Sequence, residues 1–241
     1  MRAHVLVVLL ALTAAAAAGA GPDVRDCADN AFAASTDWRC AHRWLSRADG
    51  TVDAREVAMA LARLRAAGPA AAAAARSVAA LLEHRSPLYR NRDKGQVGRL
   101  RALLMLTLGD LGQAQLALPT LHDVLSHLDE RGHPEEVAAA ARTAGLLGHR
   151  GRELMPQLVS LLSLQMADEQ IAFESEPSER QRAIATTPRL EALRALRALC
   201  QRGDGALLAQ VQIASAVGRG SDPRALQALA DLAQWLREGS P

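Results

Sequence analysis

The chain has 241 residues, a formal charge of +2 and only 2% aromatic residues, with Lys94 as its single lysine. A near-balanced charge offers no electrostatic basis for nucleic-acid binding, and a composition led by Ala, Leu and Arg, with Val and Ile scarce, excludes a strand-rich fold. The expected class is all-α.

Met1, Arg2 and His4 form a short basic start, Val5 to Ala18 is apolar apart from Thr13, and Ala18-Gly19-Ala20 supplies small residues for a signal peptidase. Residues 1–20 read as a secretory signal peptide, with an uncleaved anchor as the alternative. The run falls short of the ~20 apolar residues that span a bilayer, and no later stretch is long enough either. The expected location is therefore periplasmic or secreted, with no membrane span after cleavage.

Residues 21–54 read as an N-terminal capping segment. Cys27 and Cys40 lie close together in "CADNAFAASTDWRC" and are expected to pair as a disulfide, since the compartment is oxidising. The closed loop is short, and the bond would add roughly 3 kcal/mol to stability. A metal or redox pair is the alternative reading, but no CxxC spacing accompanies it. "LSRADGTVDARE", Leu45 to Glu56, resembles the second half of a calcium-binding EF-hand loop, yet Leu45 and Arg47 stand where the first two oxygen ligands belong. The plainer reading is a turn at Asp49-Gly50 and a helix cap at Asp53.

From residue 55 onward the pattern is helical. "REVAMALARLRAAGPAAAAAARSVAALLEH" predicts one helix running to Gly68-Pro69 and a second carrying Val78, Leu81 and Leu82. "LTLGDLGQAQLALPTLHDVL" and "RTAGLLGHRGRELMPQLVSLL" then align with each other. Thr107, Gly109, Leu111 and Gly112 match Thr143, Gly145, Leu147 and Gly148. After a one-residue slip, Leu118, Pro119, Leu121, Val124 and Leu125 match Met155, Pro156, Leu158, Leu161 and Leu162. Each copy predicts a helix ending at glycine, a turn, and a second helix opening near proline, where a missing N–H costs nothing. A looser copy follows in "PRLEALRALRALCQRGDGALLAQVQIAS", with Leu207, Leu208, Val211 and Ile213 on its second helix. A last helix begins at Asp222-Pro223.

These residues resemble HEAT repeats of the bacterial type, in which an Ala-rich first helix ends in a Gly-containing turn and a second begins near proline. The resemblance covers residues 55–241 and implies a right-handed α-solenoid of about four helical hairpins. A closed helical bundle is the rival architecture. Tetratricopeptide repeats fit less well, because their aromatic pattern is missing. HEAT proteins mostly act as scaffolds, with some catalytic relatives such as the lyases that attach bilins to phycobiliproteins.

The resemblance therefore implies a non-catalytic scaffold or adaptor for a protein partner, without cofactor or metal. An enzyme or enzyme subunit with a site in a concave groove, and a structural spacer in an envelope complex, are the alternatives. No nucleophile elbow, phosphate loop or HExxH pair is present. The expected partner surface combines the outward residues Thr120, His122, Asp123 and His127 with Gln157 and Ser160, and adds Phe173, Glu174 and Glu176 from an acidic loop. The basic stretch His84 to Arg101, around Tyr89, and the stretch Ala167 to Arg189 read as long interruptions of the helical rhythm. Cys200 follows Leu193, Leu196 and Leu199 and reads as a buried free thiol.

Overall fold

The computed structural model describes residues 37–128, 133–173, 185–217 and 222–238. The expected signal segment, residues 21–36 of the capping segment, Cys27 among them, and Glu174 and Glu176 lie outside the described residues. Every regular element among the described residues is helical, apart from one antiparallel bridge between Ile171 and Thr186. No described helix is long and apolar enough to cross a membrane.

Local chemistry explains where the helices start. α1 (Trp38–Leu45) is capped by Asp37, which accepts from the Arg39 N–H at 2.9 Å. Asp49 accepts from the Thr51 N–H and hydroxyl at 2.8 and 2.6 Å, and Asp53 caps α2 (Ala54–Ala67) by accepting from the Arg55 N–H at 2.8 Å. The stretch resembling a calcium loop is thus a turn followed by a cap, with both carboxylates facing backbone donors.

A recurring succession follows. α2 ends at Gly68, a 3-10 turn runs to Ala74, and α3 (Ala75–Leu82) begins. α4 (Lys94–Asp110) ends near Gly112, a 3-10 turn spans Ala114–Ala117, and α5 (Leu118–Ser126) begins. α6 (Pro134–Gly145) is followed by a 3-10 turn over Gly148–Leu154 and by α7 (Met155–Leu161). Gly68, Gly112 and Gly148 all have positive φ, at +56°, +70° and +57°, a conformation that other residues reach only at a cost. At Gly112 the Gln113 N–H reaches the Leu108 carbonyl at 2.8 Å while the Gly112 N–H reaches that of Gly109, which satisfies the free carbonyls at the helix end. α8 (Pro188–Leu199), α9 (Gly205–Val217) and α10 (Pro223–Arg237) complete the chain, with Gly203 at positive φ between the first two and Asp222 capping the last.

The long helices lie side by side in the order α2, α4, α6, α8, α10, and α3, α5, α7 and α9 each pack on the long helix that follows. α6 sits between α4, α5 and α8, and this explains its composition: Val137 to Ala141 and Ala144 are all fully buried. A helix enclosed on several sides is apolar all round, and alanine lets its neighbours approach closely. Leu121, Leu125, Leu158 and Leu162 are buried at the expected positions.

Two details depart from the sequence reading. Only the first part of His84 to Arg101 is a connection, because α4 begins at Lys94. A capping box starts it: Asp93 accepts from the Gln96 N–H at 2.8 Å, and the Gln96 side chain accepts from the Asp93 N–H at 3.2 Å. The connection is tied down, since Arg92 donates to the carbonyls of Leu88 and Val52 at 2.7 and 2.6 Å. The second departure is Ile213, which is 68% exposed. The buried line of α9 runs through Leu207, Val211 and Ala214, and Ile213 falls on the other side.

Candidate functional site

The expected outward face of α5 is where the polar groups gather. His122 and His127 are exposed, Thr120 and Asp123 are half-buried, and Ser126 lies 3.4 Å from His122. On α7, Ser160 is exposed and donates to the Pro156 carbonyl, while Gln157 is half-buried. Phe173 stands elsewhere, with the Arg142 guanidinium of α6 5.2 Å from its ring centroid.

Beneath α5 the structure adds groups that the sequence reading missed. Arg101 of α4 reaches Glu136 of α6 at 2.8 Å and Asp123 at 3.6 Å, and the Arg101 and Glu136 side chains are 10% and 9% exposed. Asp123 also lies 3.3 Å from His84 and 3.5 Å from His127. The hydroxyl of Tyr89 is buried with no hydrogen-bond partner among the described residues. Five elements therefore meet at one network: the segment after α3, α4, α5, the loop beyond it, and α6.

Burial dominates the electrostatics. It pushes the Glu136 carboxyl up to about 7, the Arg101 charge opposes that rise, and the Asp123 charge adds to it. Burial also raises the Tyr89 phenol, again opposed by Arg101 and reinforced by Glu136. The result is a carboxyl held well above its ordinary range beside a guanidinium and a phenol. Chemically this is a buried cluster of charged groups joining three helices. Its signal in the sequence was faint: Glu136 is the second of two adjacent carboxylates ahead of the apolar run "VAAAA", and nothing local marks it as the buried one.

A second buried network holds the described residues that flank the end of α7 and the start of α8. Arg189 makes a bidentate pair with Asp168 at 2.7 and 3.0 Å and donates to the Leu162 carbonyl. Glu191, fully enclosed, accepts from the Thr186 hydroxyl at 2.7 Å and from Arg194 at 2.9 Å, with Arg142 at 3.3 Å. Thr187 caps α8 by accepting from the Leu190 N–H at 3.1 Å. The part of Ala167 to Arg189 that is described is thus anchored at both ends, and the Arg189 contacts to Asp168 and Leu162 join residues too distant in sequence to be foreseen.

Cys200 is a buried free thiol, as expected, with its pKa raised chiefly by burial. Cys40 is buried on α1, and its expected partner Cys27 lies outside the described residues. Compared with family models, curated proteins and solved structures, the chain matches none of them.

Proposed function

We propose that the chain is an exported right-handed α-solenoid of HEAT-like hairpins that binds a protein partner without catalysing a reaction. The observation that carries this reading is the repeated succession of long helix, positive-φ glycine, 3-10 turn and short helix at Gly68, Gly112 and Gly148. A unit of this kind leaves its apolar stripe open until a neighbour covers it, so stacked units form an elongated surface suited to extended contacts. The surface assigned to the partner is the polar ridge of α5 and α7, with His122, Asp123, His127, Gln157 and Ser160. A ridge of this polarity suits a reversible, hydrated interface.

The enzymatic alternative draws its support from Glu136 and Tyr89, two titratable groups perturbed by burial, clustered with Arg101. The scaffold reading is preferred because Arg101 and Glu136 are nearly enclosed and bind each other at 2.8 Å, as a structural pair does.

The test is chemical cross-linking in the native cell envelope with wild-type chain, His122→Arg and Gln157→Arg, followed by mass spectrometry. The expected result is a discrete partner recovered with wild type and lost with both variants, while circular dichroism shows intact folding. Equal capture by all three would eliminate this ridge. Recovery of no partner would put the structural-spacer reading ahead. Sequencing the N-terminus of the exported protein tests the compartment, with cleavage after residues 1–20 expected.

A further inference from the structure

α8 and α10 enclose a groove of about 460 Å³ whose floor includes Leu190, Leu193 and Ala228 and whose rim carries Arg194, Arg197 and Asp231. Arg224 also borders it, but its guanidinium is committed to Asp222, at 2.9 and 3.2 Å, and to the Ala185 carbonyl. The other arginines are less fully compensated. Arg194 shares the single carboxylate of Glu191 with Arg142. Arg197 and Arg202 stack on the Trp235 ring, 3.3 and 3.9 Å from its centroid, and form no ion pair among the described residues. Of the lining residues only Asp231 is acidic, and the Gln227 amide holds it at 2.7 Å.

We propose that this groove binds an extended acidic peptide segment of a partner protein, with carboxylates at alternate positions meeting Arg194 and Arg197. Three observations converge on that occupant. Excess positive charge at the rim calls for carboxylates, which guanidinium groups bind in paired, directional fashion. Stacking on Trp235 fixes the plane of Arg197 before any ligand arrives, which lowers the ordering cost of binding. The spacing also fits. Residues three apart on a helix place their Cβ atoms about 5–6 Å apart, and an extended chain presents every second side chain at roughly 6–7 Å. The intervening side chains of the extended segment point to its opposite face, away from the groove. This site is separate from the α5 and α7 ridge and stands without it.

The probe is a fluorescein-labelled ten-residue peptide alternating Glu and Leu, titrated with the full chain by fluorescence anisotropy. Peptides alternating Gln with Leu and Lys with Leu serve as comparisons. Only the Glu peptide is expected to bind. The Arg194→Gln, Arg197→Gln double variant should weaken it by at least about tenfold, since two charge-assisted contacts are lost. Should that variant fail to fold, the exposed Asp231→Asn provides the opposite test by removing a repulsive charge, and tighter binding is expected. Equal binding of the Gln peptide would overturn the proposal, as would no binding at all or unchanged affinity in both variants. His122→Arg leaves this binding intact if the two sites are distinct, so a failure at the ridge is separable from a failure here.

Discussion

Gly145 of α6 lies so close to Ala195 of α8 that a Cβ on the glycine would stand 3.1 Å from the Ala195 Cα and 3.3 Å from its Cβ. Gly109, its counterpart on α4, meets a different obstacle: its added Cβ would fall 2.8 Å from Cδ1 of Leu146, a side chain 58% exposed. A leucine tip can rotate into solvent, whereas a helix backbone yields only if the helices separate. Gly109→Ala should therefore hold or raise stability, by up to about 1 kcal/mol of helix propensity. Gly145→Ala should lower it. Thermal unfolding followed by circular dichroism checks both, and a clear loss in Gly109→Ala would contradict the packing.

Leu125 and Leu162, aligned with each other in sequence, are both fully buried. Leu125→Ala and Leu162→Ala should each destabilise the chain by roughly 2–5 kcal/mol, because each removes buried methyl groups and leaves a cavity. Denaturant titration measures the cost. A loss well under 1 kcal/mol at either position would place that leucine outside the core.

Glu136 makes stability depend on pH with a definite sign. Its carboxyl rises from the ordinary 4.5 to about 7 on folding, so the folded chain holds an extra proton between those values. That contribution is fully present below pH 4.5 and is lost as pH rises through 7. The span corresponds to on the order of 3 kcal/mol as an upper bound, at about 1.4 kcal/mol per pH unit. Glu136→Gln, which keeps an acceptor for Arg101 without ionising, should flatten this dependence. Its stability relative to wild type should increase from pH 5 to pH 8, as read by unfolding midpoints. A constant difference across that range would remove Glu136 as the source.

The cysteines should differ in reactivity. Cys200 is buried and its thiol is held above its usual range, so alkylation is expected to be slow in the folded chain and fast in denaturant. Cys27 and Cys40 should resist alkylation until a reductant is added. Mass spectrometry after labelling decides the matter. Modification of both in the unreduced exported protein would end the disulfide.

Much of this architecture was legible in the sequence because it is written in local rules. Helical composition, the caps at Asp53 and Asp222, proline at helix starts and glycine where φ must be positive all act over a few residues, and the aligned Gly112 and Gly148 marked the turns. The capping box at Asp93 is local too, and attention to Gln96 would have placed the start of α4 correctly. The candidate site was less visible. Asp123 and His127 were expected on the surface of α5, but not that Asp123 closes over Arg101 and Glu136.

What the sequence determined by itself is the helical class and the register of its central turns, since hydrophobic period, capping and backbone conformation are settled between near neighbours. Only the tertiary structure decided which charges are buried and which arginines keep an excess of charge. Glu136 is perturbed because α4, α5 and α6 enclose it, and Arg197 is oriented because α10 brings Trp235 beneath it. Desolvation and pairing energies depend on surroundings that distant segments supply, so composition and spacing carry no trace of them.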